Sequence, residues 1–141
     1  MIPLKVGFYY ESGKPCRFAD SEQIEKDKYR LQHDLYYRAV GGTLFKVKKG
    51  FIHDGASKGF LKHFGKYTNA AILHDALYGI NYKERGDADN LFLEAMEHSN
   101  VNWLRRYTYW TIVRGAGWVA YNSKSDESIT ECKQYIEIYG A

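Results

Sequence analysis

The chain has 141 residues, 45% of them apolar and 26% charged, and a formal net charge of +3. That length builds one domain around a single core, and the composition is that of an ordinary globular protein rather than a disordered or fibrous one. So small a positive surplus excludes the dense basic stripe of a specific nucleic-acid binder.

Aromatic content is high, with 13 Tyr, 7 Phe and 3 Trp. These rings would fill a small core. Because tyrosine packs its ring while its hydroxyl hydrogen-bonds, they would also offer a contact surface to a partner, a sugar or a lipid headgroup. The first residues, Met1-Ile2-Pro3-Leu4-Lys5, lack a basic stretch followed by an apolar run, so no signal peptide is expected.

Residues 4–10 form a short apolar run closed by Ser12-Gly13-Lys14-Pro15, a turn signal. Residues 29–39 alternate: Tyr29, Leu31, His33, Leu35 and Tyr37 share one face, and Arg30, Gln32, Asp34 and Arg38 the other. That is the period of a half-buried strand, with His33 packed on its apolar side. Gly41-Gly42 suits a tight turn, and Phe45, Val47 and Phe51 then alternate with lysines, so residues 29–39 and 43–53 are expected to pair as a hairpin. Lys46, Lys48 and Lys49 form the densest basic cluster, readable as a solvated strand face or as an anion site.

A loop of small residues, 54–59, follows, and from residue 67 to 78 the period becomes helical. Thr68 and Asn69 are the expected capping residues, and Gly79 stands where a helix ends. Residues 87–98 read as a second helix with Asp87 as its N-cap. Residues 103–121 read as a third. They contain Arg105, Arg106 and Arg114, which a bilayer centre disfavours, so this is expected to be a core helix and not a membrane span. A polar loop leads to residues 129–139, a short helix or strand. The fold class is therefore α+β: an N-terminal antiparallel hairpin or small sheet, sheet-rich over 1–58, then about three helices over 66–122 and a tail over 123–141, in one domain.

The chemistry-bearing residues fall on the first two helices. His74 shares the apolar face of Ala70, Ala71, Leu77 and Tyr78, so its imidazole points inward, and Asp75 is rotated from it by about 100°. Asp89 shares the stripe of Phe92, Leu93 and Met96, where a carboxylate is expensive unless paired. Sequential helices pack as neighbours, which makes His74 and Asp89 partners. An aspartate on one ring nitrogen fixes the tautomer and leaves the other nitrogen as a base. Asp75, with Asp54 and His53 from the strand end, would bind a divalent cation, calcium before zinc.

The same residues would also serve as a satisfied polar network in a core. Arg114, near Trp110 and Trp118, would clamp an anion or, in the plainer reading, form a salt bridge or a stack. His63 and His98 are expected at the surface, and Ser57 lacks the Gly-x-Ser-x-Gly context of a nucleophile. Cys16 and Cys132 are far apart with no CxxC partner; a bridge between them is neither required nor excluded.

The run Gly50-Phe51-Ile52-His53-Asp54-Gly55-Ala56-Ser57 resembles the Gly-Phe-x-x-Asp-Gly-Ala-Ser signature of a bacteriophage and prophage family of unknown function. Ala70-Ala71 with His74-Asp75 and Tyr78, then Arg85 with Ala88-Asp89 and Phe92, resemble the same family's next two blocks. Lys58-Gly59 stands where that family usually carries Ile-Pro.

More distantly, His74, Asp75, Tyr78 and Asp89 resemble the site of secreted and parvoviral phospholipases A2. This resemblance implies His74 as the base that activates water, Asp75 as a calcium ligand and Asp89 as the support of His74. The Tyr-Gly-x-Gly-x-x-Gly calcium loop of those enzymes is absent, and residues 54–59 would replace it. Taken together the resemblances imply a phage hydrolase of lipid esters or other cell-envelope bonds, placed in the virion or the host cytoplasm. Two other readings stand beside it: a virion or tail protein whose His–Asp network is structural and whose partners are other virion proteins, and a small binder of a host protein.

Overall fold

The protein is described by a computed structural model that covers residues 1–54, 66–122 and 124–140. Its strands are β1 (Gly7–Tyr9), β2 (Ser21–Glu25), β3 (Lys28–Leu31), β4 (Leu35–Arg38), β5 (Leu44–Val47), β6 (Ile52–His53) and β7 (Ile136–Tyr139). Its helices are α1 (Thr68–Gly79), α2 (Arg85–Glu97), α3 (Trp103–Ala116), α4 (Trp118–Asn122) and α5 (Asp126–Lys133). The class is α+β, with two antiparallel sheets ordered β1-β4-β5-β7 and β2-β3-β6.

The alternation of residues 29–39 does build a hairpin with residues 43–53, but the hairpin is bent in the middle. Leu35 faces Val47 and Arg38 faces Leu44 in one sheet; Tyr29 faces His53 and Arg30 faces Ile52 in the other. No residue is gained or lost across the bend, so every side chain keeps the face that the alternation assigns to it. The bend is fixed by polar groups that leave the ladder. Asp34 Oδ1 accepts from Lys49 N at 2.8 Å, and His33 Nε2 accepts from Asp20 N at 3.0 Å. His33 is thus half-buried at the bend rather than packed in the core. Gly50, at φ +97°, makes the turn that lets Phe51 N reach Lys48 O. Lys46 pairs with Asp34 and Glu137 of β7, and Lys48 with Glu137, so these two of the three clustered lysines stand on a charge-paired strand face.

Leu31, Leu35, Tyr37, Phe45 and Val47 point from the sheets into one core. Nearly every residue of α1 is buried against it, as expected of a helix that is apolar all round. Neither Thr68 nor Asn69 caps this helix. Asn69 is buried and stitches the 16–19 segment to α1, accepting from Ala19 N at 2.8 Å and donating to Cys16 O at 2.9 Å. The start of α2 also differs: Glu84 is the N-cap, and Asp87, at the third helical position, accepts from Glu84 N at 3.0 Å.

The largest correction concerns residues 103–121. They form not one core helix but two, α3 and α4, and α3 has no buried residue. A core helix already exists in α1, and α3 lies against α2, bonded to it by Arg114 on Asp89 and Trp110 on Asn90, with Tyr109 and Val113 among its side chains that reach the core. A Cβ at Gly117 would collide with Tyr78 Oη and Val113 O, which places a glycine at the break. At the C-terminal end, residues 129–139 supply both alternatives, the end of α5 and then β7, which pairs with β5. Cys16 and Cys132 are free thiols.

Cys132 of α5 sits directly over Gly79 at the end of α1, where an added Cβ would overlap its Sγ. Gly79→Ala is expected to lower unfolding stability by about 1–3 kcal/mol through overpacking. Urea denaturation measures it, and Cys132→Ala in the same chain should restore most of the loss, the signature of a coupled pair.

Candidate functional site

Asp89 is fully buried, and all the capacity of its carboxylate is used. Oδ1 takes His74 Nε2 at 2.7 Å and Tyr78 Oη at 2.6 Å. Oδ2 takes Arg114 Nη1 at 2.9 Å and, more weakly, Arg85 Nη1 at 3.5 Å. Burial pushes this carboxyl up, but the bonds from His74, Tyr78 and Arg114 outweigh it and hold the pKa below the usual aspartate value.

An ionised carboxylate only accepts, so His74 Nε2 carries a proton, which in the neutral tautomer makes Nδ1 the acceptor nitrogen. Tyr78 stays a donor, because burial and then the Asp89 charge raise its pKa. The His74 ring is held between Tyr78 and Phe92, with centroids at 4.1 and 4.7 Å. Local sequence explains the geometry: His74 and Tyr78 are one turn apart on α1, and Arg85 and Asp89 one turn apart on α2.

A cleft of about 330 Å³ opens on the other side of Tyr78, and Asp54, Asp75, His53, Lys124 and Cys132 are among the residues that line it. Asp54 N donates to Asp75 Oδ2 at 3.2 Å, which ties the end of β6 to α1. His53 is buried, with Nε2 at 2.8 Å from Ser21 Oγ and its ring stacked between Tyr29 and Phe51. Burial lowers its pKa to about 4 against the opposing charge of Asp54.

The structure therefore brings the six residues singled out in the sequence into two groups that share Tyr78. His74, Tyr78 and Asp89 form one; Asp54, Asp75 and His53 line the other. Arg114 takes the salt-bridge role. The small-residue loop beyond Asp54, with Ser57, and His63 lie outside the described residues. Among the described residues no three His, Cys, Asp or Glu side chains converge as a ready metal cage. Sequence reasoning missed Arg85 as a second counter-charge, although its place four residues before Asp89 on one helix was the available signal. Lys124 and Cys132 are cleft residues brought in by the C-terminal segment, which no local pattern links to α1.

Fold and site together define an α+β domain whose helices meet on a buried histidine–tyrosine–aspartate–arginine cluster. The sequence model of the family described as "Protein of unknown function (DUF1353)" matches residues 29–113, more than half of the chain, and the chain belongs to that family. No curated protein and no solved structure matches it.

Replacing Asp89 by Ala should cost about 3–5 kcal/mol, because two guanidiniums and an imidazole lose their shared acceptor. Chemical denaturation checks this, with Asp89→Asn showing the smaller part that comes from lost charge. The lowered His53 pKa adds a pH dependence of known sign. The unfolded chain binds a proton near pH 6.5, whereas the folded chain resists it to about pH 4. That contribution is therefore full above pH 6.5 and is lost as pH falls toward 4. Thermal midpoints should drop across this window in the wild type and less steeply in His53→Phe.

Proposed function

We propose that this protein is a phage-encoded hydrolase that uses His74 as a general base on lipid esters or related cell-envelope bonds. The observation that carries the reading is the graded burial of one hydrogen-bonded pair. Asp89 has no exposed side-chain surface, while the His74 side chain keeps 10%. A sealed orienter beneath a base at the edge of solvent is the arrangement that general-base catalysis needs.

The charge on Asp89 is already shared with Arg114 and Arg85, so its service to His74 is mainly orientation. Nε2–H is fixed on Oδ1, and Nδ1 is the nitrogen that would take a proton from water. Tyr78 braces the same carboxylate oxygen, and its ring packs on the imidazole. Asp75 and Asp54 fit a hard cation by donor chemistry, both being carboxylates on one cleft. Such a cation would polarise the oxygen of the bond under attack. Calcium takes roughly six to eight oxygens, so two carboxylates alone would leave most of its shell to water and backbone. Zinc fits less well, because His53 Nε2 is engaged by Ser21 Oγ.

A second reading has its own support. Four donors on one sealed carboxylate, two of them arginines, is also what a purely structural network looks like, as in a virion or tail protein. Ester release from phospholipid and other envelope substrates separates the two. His74→Ala is expected to lower the rate on the order of 10² to 10⁴-fold, the usual scale of general-base assistance. Asp75→Asn should raise the calcium concentration needed for half-maximal rate while leaving the denaturation midpoint nearly unchanged. Equal release by wild type and His74→Ala, or none from either, leaves the structural reading standing.

A further inference from the structure

We propose that the outward face of α3 and α4 is a docking surface for an anionic lipid membrane. The argument starts from a violation of helix patterning. A helix on the outside of a domain turns charged residues to water. Here the exposed side chains include Trp103 (66% exposed), Leu104 (62%), Tyr107 (48%), Trp118 (55%) and Val119 (53%). At 100° per residue, Trp103, Tyr107, Thr111, Leu104 and Thr108 share one side of α3, and the one charged residue in that sector, Arg114, is turned onto Asp89. Single exposed apolar residues need no explanation, but Trp103, Leu104 and Tyr107 fall within five positions at one end of α3, and Trp118 and Val119 follow at the other.

Charge selects the occupant. Neither helix contains Asp, Glu or Lys, and α3 contains Arg105, Arg106 and Arg114. These three equal the formal net charge of the whole chain, +3. Arg114 is spent on Asp89, and Arg106 is half-buried on the side of α3 away from Leu104 and donates to Val101 O; Arg105 is exposed beside the apolar strip. Neither helix offers Arg105 an acidic partner, so an anionic surface satisfies it where the same face of a second copy, equally without Asp or Glu, would not.

An anionic headgroup layer accepts this charge and takes amphipathic Trp and Tyr rings at the same depth. α3 is 14 residues, roughly 21 Å, and lies too short to span; among the described residues no helix is long and apolar enough to cross a membrane. The face is also held firm from beneath. Arg85 Nη1 donates to Val113 O and Arg114 O at 3.0 Å each, and Trp110 Nε1 donates to Asn90 Oδ1 at 3.3 Å. The proposal stands on this surface and does not need His74 to be catalytic.

Co-sedimentation of the full chain with phosphatidylglycerol vesicles, in chelator so that binding is read apart from hydrolysis, tests it. The protein should pellet with phosphatidylglycerol at least tenfold more tightly than with phosphatidylcholine, with a blue shift of tryptophan emission and a loss of binding in high salt. Trp103→Ser with Leu104→Ser should abolish pelleting, and Arg105→Gln should weaken it about fivefold. All three positions are exposed, so thermal midpoints should hold. Absence of pelleting, or pelleting unchanged in the Trp103/Leu104 variant, would overturn the proposal. So would a concentration-dependent dimer that the same variant dissociates, which would assign the face to a second copy.

Discussion

The structure depends on keeping one carboxylate ionised where no water reaches it. Asp89 lies in α2, and its partners come from α1 (His74, Tyr78), from α2 itself (Arg85) and from α3 (Arg114). Burying such a charge alone costs several kcal/mol, and its attraction to neighbours repays this only when every lone pair is met. Here an imidazole and a phenol take one oxygen and two guanidiniums take the other. The network therefore sets the relative positions of three helices, and it explains how α3 stays in place without a buried residue of its own. Arg114 reaches inward from α3, and Arg85 reaches back to the last carbonyls of α3, serving as a side-chain cap.

The same turn of α1 serves two environments. His74 and Tyr78 project toward Asp89, and Asp75, about 100° round the helix, projects toward Asp54. Tyr78 alone belongs to both groups, with its hydroxyl on Asp89 and its ring on the cleft. A helix buried nearly all round can do this because each of its faces meets a different element. The sheet end at β6 supplies Asp54 on one side, α2 supplies Asp89 on another, and α5 closes over Gly79.

What could be read from the sequence follows the range of the forces involved. Period-2 alternation fixed the faces of the hairpin because burial acts on each residue separately; the bend could not be read because it rests on Asp34 and His33 bonding to residues 15 and 13 positions away. His74, Tyr78 and Asp89 were legible because a carboxylate on an apolar stripe demands a partner wherever it occurs. Arg114 was legible as an anion clamp, a salt-bridge former or a stacking partner, but without an address, since its partner lies 25 residues back. The outer position of α3 was not legible at all. Its tryptophans and leucine carry the signature of a core, and composition cannot say that α1 already occupies that place. Asn69 misled for a related reason: capping is a local rule, and a buried asparagine obeys the loop it holds, at Cys16 and Ala19.

The displaced helix and the buried charge are connected. A strip of exposed tryptophan, leucine and tyrosine on a loosely held helix would fold back onto the core, since burial of each such side chain is worth about 1.5–3 kcal/mol. α3 cannot turn that strip inward without withdrawing Arg114 from Asp89, releasing Arg85 from the carbonyls of Val113 and Arg114, and separating Trp110 from Asn90. The first of these leaves a sealed carboxylate short of its closest cationic partner, a loss of about 3–5 kcal/mol that offsets the burial of one or two such side chains, and the other two losses add to it. The polar bonds beneath α3 thus oppose any inward turn of its apolar face. A surface fixed in this way needs little reordering on contact, which is what binding through a few rigid aromatic side chains requires.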